Sequence, residues 1–186
     1  MSKKSHAAGW ASDAPTPAQL KEFFAQIESG RITQHRLQEF LRGSSAEFPV
    51  SLDYSQSLAD MVAAGHYDQV NSDITADHFP ISGTGTVERT LFLIQFNRFM
   101  SSEAALKELK AQGLRPATIE ELLAFGKIYP NKQLEFSIIC LGSVWTGPRD
   151  GRFVPCLGRD GSWRALDVRY SGDSLAAGYR FLAVRE

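Results

Sequence analysis

The chain has 186 residues, 43% of them hydrophobic and 22% charged, with a formal net charge of −1. That profile suits one globular domain with an appendage or two small domains, and the near-zero charge supplies no global field to recruit nucleic acid or a membrane. Two cysteines, Cys140 and Cys156, make no disulfide framework, no stretch approaches the ~18–20 apolar residues of a membrane span, and no apolar segment follows the basic Met1-Ser-Lys-Lys start, so the expectation is a cytoplasmic protein with reduced thiols.

Residues 1–15 mix Lys, Ser, Ala, Gly and Pro and read as a disordered tail with Trp10 as its one large apolar side chain. Thr16-Pro-Ala-Gln is a helix start, with Pro17 at the first helical position and Gln19 placed for a capping box. Leu20, Phe23, Phe24 and Ile27 follow at helical spacing up to Gly30, and a second helix from Thr33 to Gly43 carries Leu37, Phe40 and Leu41. Residues 16–43 are therefore expected to form an αα-hairpin. Two such short helices cannot bury their stripes on each other alone, so the hairpin packs in cis, on another copy as a homo-oligomer, or on a partner.

Residues 44–86 read as a connector. It is Ser-rich at first, carries a short helix opened by Ser57 and closed by Gly65, and ends in turn chemistry at Asn71-Ser-Asp73 and Ser82-Gly-Thr-Gly85. His66, Asp68, Asp73, Asp77 and His78 fall here, but their spacing matches no metal-ligand pattern, so no metal or cofactor is expected.

From residue 87 the pattern changes. Val87 to Phe96 alternates as a strand covered on both faces, with Thr90, Phe92, Ile94 and Phe96 on one side and Leu91 and Leu93 on the other. A helix from Ser101 or Ser102 ends at Gly113, Pro116 forces Arg115 out of helical geometry, and Thr118-x-x-Glu121 caps the next helix. Phe136 to Trp145 is an apolar β run. Phe153–Leu157 and Trp163–Tyr170 flank Gly158-Arg-Asp-Gly161 as a hairpin, with Pro155 arguing for an edge or bulged strand. Tyr179 to Val184 is the closing strand.

Leu114-Arg-Pro-Ala-Thr-Ile-Glu-Glu-Leu122 resembles the "RLPTEAEWE" elbow of the formylglycine-generating-enzyme and sulfatase-modifying group, a variant of the C-type-lectin-like fold. Gly161-Ser-Trp163 and Gly178-Tyr-Arg180 look like that group's "GSW" and terminal "GFR" segments. The resemblance covers residues 87–186 and implies an α+β, lectin-like domain whose first and last strands pair side by side. The sequence departs from that group's catalytic pattern: the last hundred residues contain no histidine. The Glu-Pro-Asn or Gln-Pro-Asp and Trp-Asn-Asp triplets of calcium-dependent lectins are also missing. What the resemblance implies is thus a scaffold, of the kind that phage- and bacteria-borne variable proteins use to display a ligand surface.

After Lys132 every basic residue is an arginine, and aromatic residues are interleaved with them. Arg stacks and forks where Lys cannot, and both residue types are enriched at interface hot spots. The candidate binding set is Arg152, Arg159, Trp163, Arg164, Arg169 and Tyr170, for a protein or small-ligand partner. Six acidic groups in the same region weigh against nucleic acid. The expected function is a non-enzymatic binding module. The alternatives are an enzyme related to the formylglycine-generating group, which needs a reactive thiol or a metal, and a mobile-element or phage-associated regulatory protein docking through the N-terminal hairpin.

Overall fold

A computed structural model describes residues 15–33, 37, 47–172 and 174–185. The chain divides into two compact units, residues 1–44 and 45–186.

In the first unit, helix α1 spans Pro17–Glu28 and carries the expected capping box: the Gln19 amide donates to Thr16 Oγ1, and the Thr16 amide donates to Gln19 Oε1 at 2.8 Å. No residue of α1 is buried, and Phe24 is 58% exposed. The expected second arm, 33–43, lies outside the described residues save Thr33 and Leu37, where the Leu37 amide donates to the Thr33 carbonyl. The expected tail, with Trp10, also lies outside them.

The second unit is α+β, built on one mostly antiparallel sheet. Its strands are β1 (Glu47–Asp53), β2 (Gln69–Val70), β3 (Thr86–Ile94), β4 (Leu114–Pro116), β5 (Ile138–Ile139), β6 (Trp145–Thr146), β7 (Arg152–Asp160), β8 (Trp163–Tyr170) and β9 (Arg180–Arg185). Its helices are α2 (Leu58–Ala64), α3 (Ser102–Ala111), α4 (Ile119–Ile128) and α5 (Lys132–Glu135). Strand order among the described residues is β1-β3-β9-β5-β7-β8-β2, with β4 added to β9 and β6 to β7. Among the described residues only β5–β9 and β2–β8 run parallel.

Strand β3 lies beside the closing strand β9, with Leu91 opposite Val184 and Ile94 opposite Phe181. Its alternation sorts two cores, as the sequence pattern requires. Phe92 and Ile94 join Val154, Cys156 and Phe181 on the α3 face; Leu91 joins Leu122, Phe125, Leu157 and Leu166 on the α2/α4 face.

The elbow between α3 and α4 forms where the sequence predicts, but only the Glu121 half of the expected capping box is made, because Thr118 Oγ1 is buried without a hydrogen-bond partner. Gly113 takes a φ of +69° to end the helical path. The Thr118 amide donates to Glu121 Oε2, and Arg115 forks onto the same carboxylate at 2.6 and 2.9 Å. Glu121 is buried, so this bidentate pair gives its charge a partner where water cannot. Residues 142 and 143 then dock on the elbow through Gly142 N–H to the Ala117 carbonyl and the Ile119 amide to Ser143 Oγ.

Three expectations need correction. Residues 47–53 are a strand and not a connector; Phe48, Val50 and Leu52 bury while their neighbours face out, an alternation that the Ser-rich flanks obscured. The apolar run from 136 to 145 is not one strand but a helix end followed by two-residue strands β5 and β6, because Gly142-Ser143 turns back onto the elbow. Strand β7, despite Pro155, is internal between β5 and β8. The Pro155 carbonyl accepts from Cys140 N–H, so its missing N–H also faces the β5 side, beyond the last pair Ile139–Cys156.

Candidate functional site

The β7–β8 hairpin carries all six residues singled out by the sequence, and the register shows which of them it brings together. Opposed pairs are Asp160–Trp163, Arg159–Arg164, Val154–Arg169 and Phe153–Tyr170. Residues opposite each other share a face, and alternate residues share it along a strand. Arg159, Arg164 and Tyr170 therefore lie on the α2/α4 face, and Arg152, Trp163 and Arg169 on the other. Trp163 and Tyr170 stand seven residues apart, about 23 Å along the strand. The six do not form one small-ligand site.

At the Trp163 end the arginine is engaged inside the fold. Arg164 donates from Nη1 to the Gly65 carbonyl (2.6 Å) and the His66 carbonyl (3.2 Å), from Nη2 to the Gly126 carbonyl (2.8 Å), and from Nε to Gln133 Oε1 (3.2 Å). Gly65 caps α2 and Gly126 lies in the last turn of α4, so one guanidinium answers the negative ends of two helices. Its plane sits over the Tyr67 ring at 4.9 Å. A Cβ on Gly126 would stand 2.2 Å from Tyr67 Oη, so a bare backbone is required for the ring to wedge there. Buried Gln133 extends the brace, donating to the Gly158 and Ala165 carbonyls. Trp163 itself is 57% exposed. Arg159 is also exposed.

The Tyr170 end is built differently. Four rings form a row: His78 stacks on Trp145 at 3.9 Å, Trp145 meets Phe153 at 5.2 Å, and Phe153 meets Tyr170 at 5.6 Å. Strands β6, β7 and β8 supply three of them through the pairs Trp145–Phe153 and Phe153–Tyr170. His78 arrives from the loop before β3 and is oriented by a 2.9 Å contact between Nδ1 and the Asp73 carbonyl, so Nδ1 is the donor. Tyr170, at the end of the row, is 43% exposed. The connection from β6 to β7 packs against Trp145 and Phe153 and holds Arg149 and Asp150 both at φ +58°, the left-handed region that non-glycine residues seldom enter. On the opposite face Arg169 lies 6.0 Å from the Tyr179 ring. The Arg152 carbonyl accepts from Ser171 N–H and Oγ, holding the chain where it leaves β8.

His78 had no sequence signal as part of this row. It lay among turn residues, and a ring stack between a loop and a strand has no spacing by which to find it.

The thiols are set for packing. Cys140 and Cys156 lie on adjacent segments but belong to opposite cores. Burial pushes the Cys156 thiol up to about 12, and burial pushes Cys140 well above its ordinary value. Thiols of this kind are neutral at physiological pH and poor nucleophiles. Among the described residues no group of three or more His, Cys, Asp or Glu side chains could hold a metal ion, and no helix is long and apolar enough to cross a membrane.

Comparison with protein-family models, with curated proteins and with solved structures finds no match to this chain.

Proposed function

We propose that the chain is a non-enzymatic ligand- or protein-binding module on a C-type-lectin-like scaffold, and that it engages its partner at the Tyr170 end of the β7–β8 hairpin. The observation that carries this reading is the row His78–Trp145–Phe153–Tyr170, flanked by a loop with two consecutive left-handed residues, Arg149 and Asp150. Backbone held in sparsely populated conformations clusters at ligand sites, where the surroundings over-determine it. A rigid aromatic row offers contact area at low entropic cost, and the arginine beside it offers forked donors. The scaffold half of the proposal is supported by the elbow at 114–122 and by the antiparallel pairing of β3 with β9.

The test is a phage-displayed peptide selection against the 186-residue chain, repeated with Tyr170→Ala. Peptides that bind the native chain and lose about tenfold or more on Tyr170→Ala support the site. Selected binders that bind both forms equally would remove it.

One observation favours a second reading, docking through the N-terminal segment: α1 buries none of its residues and leaves Phe24 exposed. Light scattering on the full chain and on Phe24→Ser decides it. A dimer that becomes a monomer supports self-association through α1; an unchanged mass sinks that form of it.

A further inference from the structure

Two glutamates are buried side by side in the first turn of α4, and their surroundings differ. Glu121 has the Arg115 guanidinium. Glu120, only 2% exposed, has no ion pair among the described residues. Its Oε1 accepts from the Ser82 amide at 2.9 Å and the Ser82 hydroxyl at 3.3 Å, while Oε2 receives no donor among the described residues. Oε2 is not sealed off, since the buried unpartnered side-chain atoms among the described residues are Tyr67 Oη and Thr118 Oγ1; it is an acceptor that a cation or further donors can reach, in surroundings where a carboxylate is costly without them. The helix N-terminus supplies a partial charge, about half of one elementary charge, and so answers only part of that cost.

Glu120 lines a cavity between β1, α2 and α4 of about 40 Å³. That is room for more than the single water that ~10–15 Å³ would hold. Leu52, Met61 and Leu123, all buried, form its apolar wall, and Asp53 stands with Glu120 in the lining. Ser55 and Gln56 donate to Asp53 and hold its carboxyl below the usual range, so it is ionised at neutral pH. Lys127 is the one cation in the lining; seven residues beyond Glu120, its backbone stands about 10 Å further along the helix axis.

From this geometry we infer that the cavity is a binding site for a small primary ammonium ligand with a short apolar body, Glu120 being its counter-ion. An ammonium group brings three donors to an acceptor that lacks them, and its carbon chain meets the Leu52, Met61 and Leu123 wall. A neutral alcohol of the same shape would bring Oε2 one donor and no charge, and an anion would face two carboxylates. The assignment is independent of the aromatic row.

The test is a titration of the isotope-labelled full chain with n-propylammonium chloride, followed by amide shifts at constant ionic strength. The expected result is saturable shifts at residues 52, 61, 120 and 123, with a Kd on the order of millimolar for so small a ligand. Glu120→Gln, which keeps the shape, should weaken binding about tenfold or more, and n-propanol should not compete. Should Glu120→Gln fail to fold by circular dichroism, Ala124→Leu carries the test: it narrows the cavity with Glu120 intact and should abolish the shifts. Tyr170→Ala should bind propylammonium as the native chain does. No saturable shifts, equal binding of propanol, or undiminished binding in the folded variants would overturn the assignment.

Discussion

The two ends of the β7–β8 hairpin are made from the same kinds of residue and do different work. At one end an arginine, a tyrosine and a glutamine turn inward and tie two helix ends to the sheet. At the other, four rings lie in a row along three strands and a loop, ending at a half-exposed tyrosine. The difference comes from what each side chain finds within reach. Arg164 meets backbone carbonyls at the C-terminal ends of α2 and α4, which have no intrahelical partners of their own. Tyr170 meets the Phe153 ring and the bare backbone of Gly172, with no helix end in reach among the described contacts. An arginine among aromatics is thus a brace where helices end against the sheet and a display element where none does.

The comparison can be broken most directly at the brace. Arg164→Ala leaves the Gly65 and Gly126 carbonyls and Gln133 without their donor, and should cost about 3 kcal/mol or more, read as a lower urea midpoint at unchanged slope. A loss under about 1 kcal/mol would mean that water replaces the guanidinium and that the two ends are alike.

Cys156 lies between the ends and reports on the hairpin as a whole. Its folded value, near 12, stands above an ordinary 9.0, so the folded state holds the proton more tightly. The stability it contributes is full below pH 9 and is lost as pH rises from 9 towards 12. Denaturation midpoints of the native chain and Cys156→Ala should converge over that window, and native Cys156 should resist a thiol reagent at pH 8. Fast labelling of native protein would show that the hairpin opens.

Smaller effects sharpen the contrast. Tyr170→Ala should cost only about 1 kcal/mol in stability, the loss of one ring pair and some apolar area, while removing partner binding. Trp163→Ala, at an exposed position not included in the brace, should stay within ~0.5 kcal/mol of the native chain in the same unfolding experiment. If Trp163→Ala destabilised more than Tyr170→Ala, the assignment of structure to one end and display to the other would be reversed.

What the sequence determined by itself is local. Thr16, Ser57, Ser101 and Thr118 sit at helix starts and Gly113 beyond a helix end, since a cap depends on the few residues around it. The two-residue alternation of β3 sorted its side chains between the two cores, and that of β8 put Leu166 and Val168 into one of them, because a strand's pleat is a property of the chain alone. The pattern could not reveal that β1 belongs to the sheet, that β7 is internal despite Pro155, or that 136–145 breaks at Gly142. Those outcomes depend on a neighbour far away in sequence: β3 for β1, the end of β5 for Pro155, the elbow for Gly142. The candidate residues divided the same way. Exposed Trp163 and Tyr170 are on the surface as their positions suggest, whereas Arg164 became a brace and His78 joined a ring row only because folding set Gly65, Gly126 and Trp145 beside them. Residue type and spacing specify what a side chain can bond to; only the tertiary structure brings the partner within 3 Å or 4 Å, and there the roles were decided.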